Sequence, residues 1–323
     1  MKLAIVGATG KVGRMMLTNL HEFDIKYDEL DLYASVNSAG KDIIFNDKTY
    51  VIKELTKEAM KKGYDFLLFS AGGNVSREYA PIAAASGSIV IDNSSAFRRD
   101  PKIPLIVPEI NGDVVKSYKG IISNPNCSTI QLVLLLKPLN DCNKIKKVVV
   151  TTMQSVSGSG YKGIIEMQNQ RQGNKSINLY PKQIDLNVIP QIGAICEDGY
   201  CEEEIKMTFE TQKILGIPDF DLVATTVRVP VVYGHSESIY VEFINEVSLT
   251  DIQNILSNSP AVDCKNQLMT PLDLGESNLS HVSRIRYAGN KKSILLWNVG
   301  HNVRLGAATN AVKILKLISK NKT

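Results

Sequence analysis

A run of apolar residues, Leu3-Ala4-Ile5-Val6, passes without a spacer into Gly7-Ala8-Thr9-Gly10-Lys11-Val12-Gly13, and a helical pattern follows at Val12, Met15, Met16 and Leu20. A strand that ends on a G-x-x-G-x-x-G turn and opens at once into a helix constrains the fold more than any other feature of the chain. Glycines permit the sharp turn and let backbone N–H groups approach a pyrophosphate at the positive end of the helix. The plainer alternative is a strand–helix turn without a ligand. The pattern then recurs. Phe66–Ser70 leads to Ala71-Gly72-Gly73-Asn74 and a helix to Ala85. Ile89–Asp92 leads to the Asn93–Arg99 segment, and Leu105–Val107 leads to Pro108. Strands alternating with helices predict a parallel sheet with its ligand site beyond the carboxyl ends of the strands. Gly10, Gly72, Asn93 and Cys127 follow such ends and are expected around one crevice, which Arg98 would reach; read alone, Arg98 is equally a solvated surface arginine.

The second strand, Leu30–Ala34, bears on the cofactor. NAD-binding folds place an acid at its tip to bond the ribose 2′-OH. Here the tip reads Ala34-Ser35-Val36-Asn37-Ser38-Ala39-Gly40-Lys41, with no carboxylate before Asp42. Hydroxyls, amides and a lysine accommodate a 2′-phosphate, so NADP is favoured over NAD.

Ile121–Gln131 carries the chemistry. Ile121-Ile122 runs into Ser123-Asn124-Pro125-Asn126-Cys127-Ser128-Thr129, and an apolar run from Ile130 follows, closed by Pro138. This predicts strand, tight loop and helix, with Asn126 as N-cap and Cys127 in the first turn. Unpaired N–H groups and the helix dipole there favour thiolate over thiol, which makes the sulfur a nucleophile. Most free cysteines are instead small buried hydrophobes, but this one is flanked by Asn, Ser and Thr.

Composition narrows the alternatives. A chain of 323 residues can hold two domains, and a net charge of +4 without a Lys/Arg block suits anionic small molecules rather than nucleic acid. Five cysteines without a C-x-x-C pair argue for reduced thiols in a cytoplasmic protein, and no zinc-ligand spacing surrounds Cys196 and Cys201. The apolar run after Met1-Lys2 is too short for a signal peptide, and no segment approaches membrane-spanning length.

In the second half, Ile145–Thr152 reads as a strand, and the loop Met153-Gln154-Ser155-Val156-Ser157-Gly158-Ser159-Gly160 offers N–H groups and space for a flat ring. Residues 201–215 are amphipathic and end at Gly216. Glu203 and Lys206 share one side of that helix, either as part of a solvated face or as holders of an ammonium and a phosphate. Arg228 lies on a strand, and His235 follows Gly234 in what reads as a polar loop. Of the four histidines it is the best acid/base partner for Cys127, whereas His21 and His281 look like surface or structural residues. Strands near 239–243, 282–287 and 293–299 suggest an antiparallel or mixed sheet, and a final helix to about Ser319 returns to the first domain.

Taken in order, GATGKVG, SSAFR, SNPNCST, QSVSGSG, EEEIK, RVPVVYGHSE and VGHNVRLGAA resemble the aspartate-semialdehyde dehydrogenase family over nearly the whole chain. The resemblance implies a Rossmann-type domain, 1–126 with 302–323, and an α+β catalytic and dimerisation domain, 127–301, in a homodimer. It implies reduction of L-aspartyl-4-phosphate by NADPH to aspartate 4-semialdehyde with release of phosphate, in lysine, threonine and methionine biosynthesis. Cys127 would form a thioester, His235 would act as acid/base and Gln154 would orient the acyl group. Arg228 and Glu203 would bind the substrate carboxylate and ammonium; Arg98, Asn126 and Lys206 would hold the phosphate. The cofactor would meet Gly7, Thr9, Gly10, Lys11, Val12, Ser35, Asn37, Ser38, Gly72, Ser157, Gly158 and Asn302. No metal is expected. The family often has arginine in place of Asn37 and aspartate in place of His301. Other Cys-dependent acyl-phosphate reductases, acting on N-acetyl-glutamyl phosphate or glyceraldehyde phosphate, are rival readings, as is a non-catalytic NADP sensor; Glu203 favours a free ammonium.

Overall fold

The structure, a computed structural model that describes residues 1–265 and 267–320, divides into two units: Met1–Pro125 with the chain from Ala307 onward, and Asn126–Gly306. Residues 302–306, expected with the first domain, fall in the second unit. Asn302 accounts for this, because its side chain bonds Ser155, Ser157 and Gly234 there. Residues 321–323 of the expected 302–323 segment lie outside the described residues.

The first unit runs β1 (Lys2–Val6), α1 (Lys11–Glu22), β2 (Glu29–Ala34), a β3 (Asp42–Phe45) and β4 (Lys48–Val51) hairpin, and β5 (Lys53–Glu54). It continues through α2 (Lys57–Met60), β6 (Phe66–Phe69), α3 (Gly73–Ala85), β7 (Ile89–Asp92), α4 (Pro108–Asn111) and β8 (Ile121–Ser123). Six parallel strands are ordered β5-β2-β1-β6-β7-β8. Successive residues of β1 point to opposite faces. Leu3 and Ile5 therefore join a core with Met16, Leu17 and Leu20 of α1, while Ala4 and Val6 join another with Ala80 and Ala83 of α3. The order reverses at β1, between β2 and β6, which is where such sheets bind nucleotides. Leu105–Val107, expected as a strand, makes only a single parallel bridge, Leu105 to Ser123, before Pro108 opens α4. Proline cannot extend a ladder but is preset for a first helical turn.

The second unit contains α5 (Cys127–Cys142), β9 (Ile145–Ser155), α6 (Tyr161–Arg171), α7 (Glu202–Leu215), β10 (Leu222–Val229) and β11 (His235–Phe243). Then come α8 (Leu249–Ser257), β12 (Val262–Cys264), β13 (Ser280–Tyr287) and β14 (Ser293–Gly300). Its sheet is mixed, in the order β10-β9-β11-β14-β13-β12. Helix α5 does not stop at Pro138 but passes through it. Burial of Ile130, Leu132, Val133, Leu134, Leu135, Leu136 and Leu139, at roughly 1.5–3 kcal/mol each, outweighs an interior proline's cost of about 3 kcal/mol. One face of the sheet buries Ile239, Val241, Ile294 and Leu296; the other carries an apolar row in which Tyr240 pairs with Val149 and Leu295. A π-helical turn, Arg304–Thr309, leads to α9 (Asn310–Ser319), whose Ala311, Leu315 and Ile318 join the core of Leu3 and Ile5. No helix among the described residues is long and apolar enough to cross a membrane.

Candidate active site

In the first unit the glycine turn is closed by sterics. Gly7 has φ 87°, and a Cβ there would lie 2.3 Å from Ser70 O; a Cβ on Gly13 would lie 2.3 Å from Gly7 O. Neither position can carry a side chain without opening the turn that joins β1, α1 and the end of β6. Thr9, Gly10, Lys11 and Val12 form this turn, and no side chain caps α1. A backbone cradle at an uncapped helix start fits a pyrophosphate. Gly72, at φ 90°, occupies the matching N-cap of α3. At the tip of β2, Ser35 and Asn37 are exposed, and Val36–Ser38 forms a single turn. The strand's own acid, Asp31, is buried lower down, bonded to Lys53 and Tyr64. It is therefore not free to bind a ribose. Arg98 is buried and donates to Asn93 O at 3.0 Å, at the end of β7.

The second unit assembles the remaining residues around the start of α5. Asn126 is the N-cap: its Oδ1 accepts from Ser128 N at 2.9 Å and Thr129 N at 3.3 Å. Its Nδ2 donates to Glu203 Oε1 at 2.7 Å, and its backbone N–H donates to Glu210 Oε2 at 2.6 Å. Two buried carboxylates of α7 thus fix the residue before Cys127, which stands half-buried in the first turn. Glu203 Oε2 lies 3.5 Å from Lys206 Nζ, so these two residues pair with each other rather than forming a solvated face. From behind, Gly306 packs against Cys127: a Cβ at 306 would approach Cys127 Cβ to 2.7 Å.

His235 is not in a polar loop. It begins β11 and is fully buried, since Gly234 ends the turn one residue earlier. Its Nδ1 accepts from Ser155 N at 3.0 Å. A backbone N–H can only donate, so the proton of the neutral imidazole sits on Nε2. Burial, and then the Arg228 guanidinium, hold the imidazole well below its ordinary pKa. Arg228 is buried and donates from Nη1 to Ser155 O at 2.7 Å. A Cβ on Gly158 would lie 2.9 Å from Arg228 Nη1 and 3.4 Å from His235 Nε2. The glycine therefore lets this loop close down on the Arg228 guanidinium and the His235 ring, which a side chain at 158 would push apart.

Gln154 belongs to β9 rather than to a loop, and donates to Thr152 Oγ1 at 3.3 Å. Asn302 Oδ1 accepts from Gly234 N at 3.0 Å and its Nδ2 donates to Ser157 Oγ at 2.9 Å, so its side chain locks the two loops beside His235. His301 stacks on Tyr233, its ring centroid 5.4 Å away, and its Nδ1 accepts from Val303 N and Arg304 N, capping the turn that carries Gly306. Burial, with Arg304 nearby, lowers its pKa to about 4. His281 is held between Asp263 and Ser277.

Sequence reasoning missed Gln131, whose Nε2 donates to His235 O at 3.3 Å, and the buried Glu210 and Glu237. The signal for Glu237 is parity: it shares a strand face with Ile239 and Val241, where an apolar residue belongs.

The model of the semialdehyde dehydrogenase NAD-binding domain matches residues 2–118, and that of the semialdehyde dehydrogenase dimerisation domain matches residues 136–305. A parallel nucleotide-type sheet followed by a mixed sheet bearing a cysteine at a helix start thus defines a two-domain semialdehyde dehydrogenase. The aspartate-semialdehyde dehydrogenase of Aquifex aeolicus is 46% identical over 333 residues, covering 99% of this chain and 98% of that protein. The enzyme of Campylobacter jejuni is 44% identical over 339 residues with the same coverage. The crystal structure of aspartate semialdehyde dehydrogenase II from Vibrio cholerae, complexed with ASA, aligns with a TM-score of 0.96 at 41% identity, over 100% of this chain and 99% of that one. The chain belongs to the aspartate-semialdehyde dehydrogenase family.

Proposed function

We propose that this chain reduces L-aspartyl-4-phosphate to L-aspartate 4-semialdehyde through a thioester on Cys127, with NADPH as reductant, in the route to lysine, threonine and methionine. The observation that carries the reading is the convergence of Arg228 Nη1 and His235 Nε2 on Gly158, with α5, which begins at Cys127, bonded to the same histidine through Gln131. The Cys127 sulfur attacks the acyl carbon, and the bond to the phosphate oxygen breaks. Asn126 and Lys206 receive the phosphate, and the family resemblance assigns Arg98 to it as well. Arg228 binds the α-carboxylate, and Glu203 the ammonium through Oε2, the oxygen that Asn126 does not use. Gln154 orients the acyl oxygen. NADPH, when bound, supplies a hydride to the thioester carbon. His235 offers Nε2–H to the oxygen on which negative charge develops; the C–S bond then breaks, freeing the aldehyde and the thiolate.

The glycine cradle fits a dinucleotide, with Gly7, Thr9, Gly10, Lys11 and Val12 at the pyrophosphate and Gly72 alongside. Ser35, Asn37 and Ser38 fit a 2′-phosphate, since no carboxylate opposes it at the tip. Ser157 and Gly158 leave room for the nicotinamide, and Asn302 holds that loop. The chain works as a cytoplasmic homodimer joined through the second-unit sheet, whose outward row Val149, Tyr240 and Leu295 supplies apolar contact.

The test is phosphate-dependent formation of NADPH from aspartate semialdehyde, run in parallel with NAD. Turnover with NADP is expected. Turnover on glyceraldehyde 3-phosphate instead would make it a different reductase, and cofactor binding without turnover would make it a sensor.

A further inference from the structure

Two residues beyond His235, on the same strand face, Glu237 is fully buried and has no cationic partner among the described residues. Its Oε2 accepts from Asn298 Nδ2 at 2.9 Å, and Oε1 has no partner in hydrogen-bonding geometry. Burial pushes the carboxyl up to about 8, against the pull of the Asn298 and Gln131 amides, so the group is mainly neutral at pH 7. Its neighbours tie three elements together. Asn298 Nδ2 also reaches Gln131 O at 3.4 Å; Ser280 Oγ lies 2.7 Å from Asn298 Oδ1 and 3.3 Å from Gln131 O. Gln131 in turn donates to His235 O at 3.3 Å. Gly300 completes the seat, since a Cβ there would come within 2.7 Å of Gln131 Oε1. An acid on the apolar parity of a strand is costly to bury, and this one sits where the nucleophile helix meets the histidine strand.

We propose that Glu237 is a positioning residue for the reaction: through Asn298 and Gln131 it fixes the spacing between the first turn of α5, which carries Cys127, and the start of β11, which carries His235. This rests on the reading of Cys127 as nucleophile and His235 as hydrogen donor. The groups facing Glu237 from α5, β9, β13 and β14 are Gln131, Thr152, Ser280 and Asn298, all neutral; His235 is the titratable group nearest along its own strand. Around the start of α5 the charged groups are Glu203, Lys206 and Glu210, which every variant below keeps, so a change in the pH profile of Cys127 reads its spacing from His235.

Glu237→Ala, Glu237→Gln and Gln131→Met are compared with the parent by kcat and KM on aspartate semialdehyde, by NADPH binding, and by iodoacetamide alkylation of the Cys127 peptide against pH without substrate. Glu237→Ala and Gln131→Met are expected to lower kcat by about 10- to 100-fold. Both should keep KM and NADPH affinity within about threefold and move Cys127 alkylation to higher pH. Glu237→Gln, which keeps the shape and the acceptor, is expected to stay within about threefold of the parent throughout. The proposal is overturned if Glu237→Ala and Gln131→Met keep the parental kcat and alkylation profile, or if Glu237→Gln is as impaired as Glu237→Ala. Should Glu237→Ala not fold, Gln131→Met decides. A parent without turnover would sink the functional reading, and the alkylation profiles would still decide the positioning claim.

Discussion

The N–H of Ser155 fixes which side of His235 can act. With Nδ1 already accepting, proton exchange with a ligand is confined to Nε2, and burial beside Arg228 keeps the ring neutral at pH 7. His235→Asn is expected to lower kcat by at least about 100-fold with the thermal melt unchanged; an unaltered rate would move the acid/base role elsewhere. Cys127→Ser should abolish turnover while NADPH binding, followed by fluorescence, persists. Measurable turnover in that variant would remove the covalent intermediate. Glu237 carries a stability signature of its own. Its folded pKa of about 8 stands above the ordinary value of 4.5, so the folded state holds a proton that the unfolded chain gives up in that window. That contribution is complete below pH 4.5 and is lost as pH rises to about 8, by up to a few kcal/mol. Urea melts of the parent should therefore weaken from pH 5 to pH 8 more than those of Glu237→Gln; parallel slopes would mean an ionised carboxylate. The helix-start setting of Cys127 and the strand setting of Arg228 were legible from residue type and local pattern. Glu210 was not, because its burial follows from helix packing that no short window of sequence contains; for Glu237 only the parity it shares with Ile239 and Val241 pointed inward.

At the level of elements, the start of α5 shows what one side chain can hold together. Asn126 caps the helix and also satisfies Glu203. Asn126→Ala is expected to cost about 1 kcal/mol for the cap and a further ~1–3 kcal/mol for the buried carboxylate oxygen left bare. A denaturant midpoint unchanged from the parent would show that water replaces both bonds. This helix start was readable because an Asn before an apolar run is a local signal. Its end was not: Pro138 reads as a stop, but the leucines on either side bury enough surface to carry the helix to Cys142. His235 misled for a related reason. A Gly-His pair after a proline-bearing strand looks like a loop, yet pairing with β9 and β14 makes it a strand start. Leu105–Val107 is the converse, an apolar run with only a single bridge to the sheet.

For the molecule as a whole, the proposed preference for NADP turns on a β2 tip without a carboxylate. Introducing a cation through Asn37→Arg should raise the NADPH-to-NADH ratio of kcat/KM by about tenfold, as one charge-assisted phosphate bond suggests. An unmoved ratio would mean that residue 37 does not read the 2′-phosphate. The two-unit architecture was legible from the alternating first third and the strand-rich second half. The exact seam was not, because Asn302 belongs to the second unit through partners at 155, 157 and 234, far away in sequence.

Gly158, Gly300 and Gly306 each leave a gap that a working side chain fills: Arg228 and His235 at the first, Gln131 at the second, Cys127 at the third. A single added methyl group at 158 would crowd Arg228 and His235 while taking no functional group out of the chain. Silencing such an enzyme needs no deletion of its chemistry, and a survey that ranks positions by the functional groups they bring would pass over the blanks that shape the cavity.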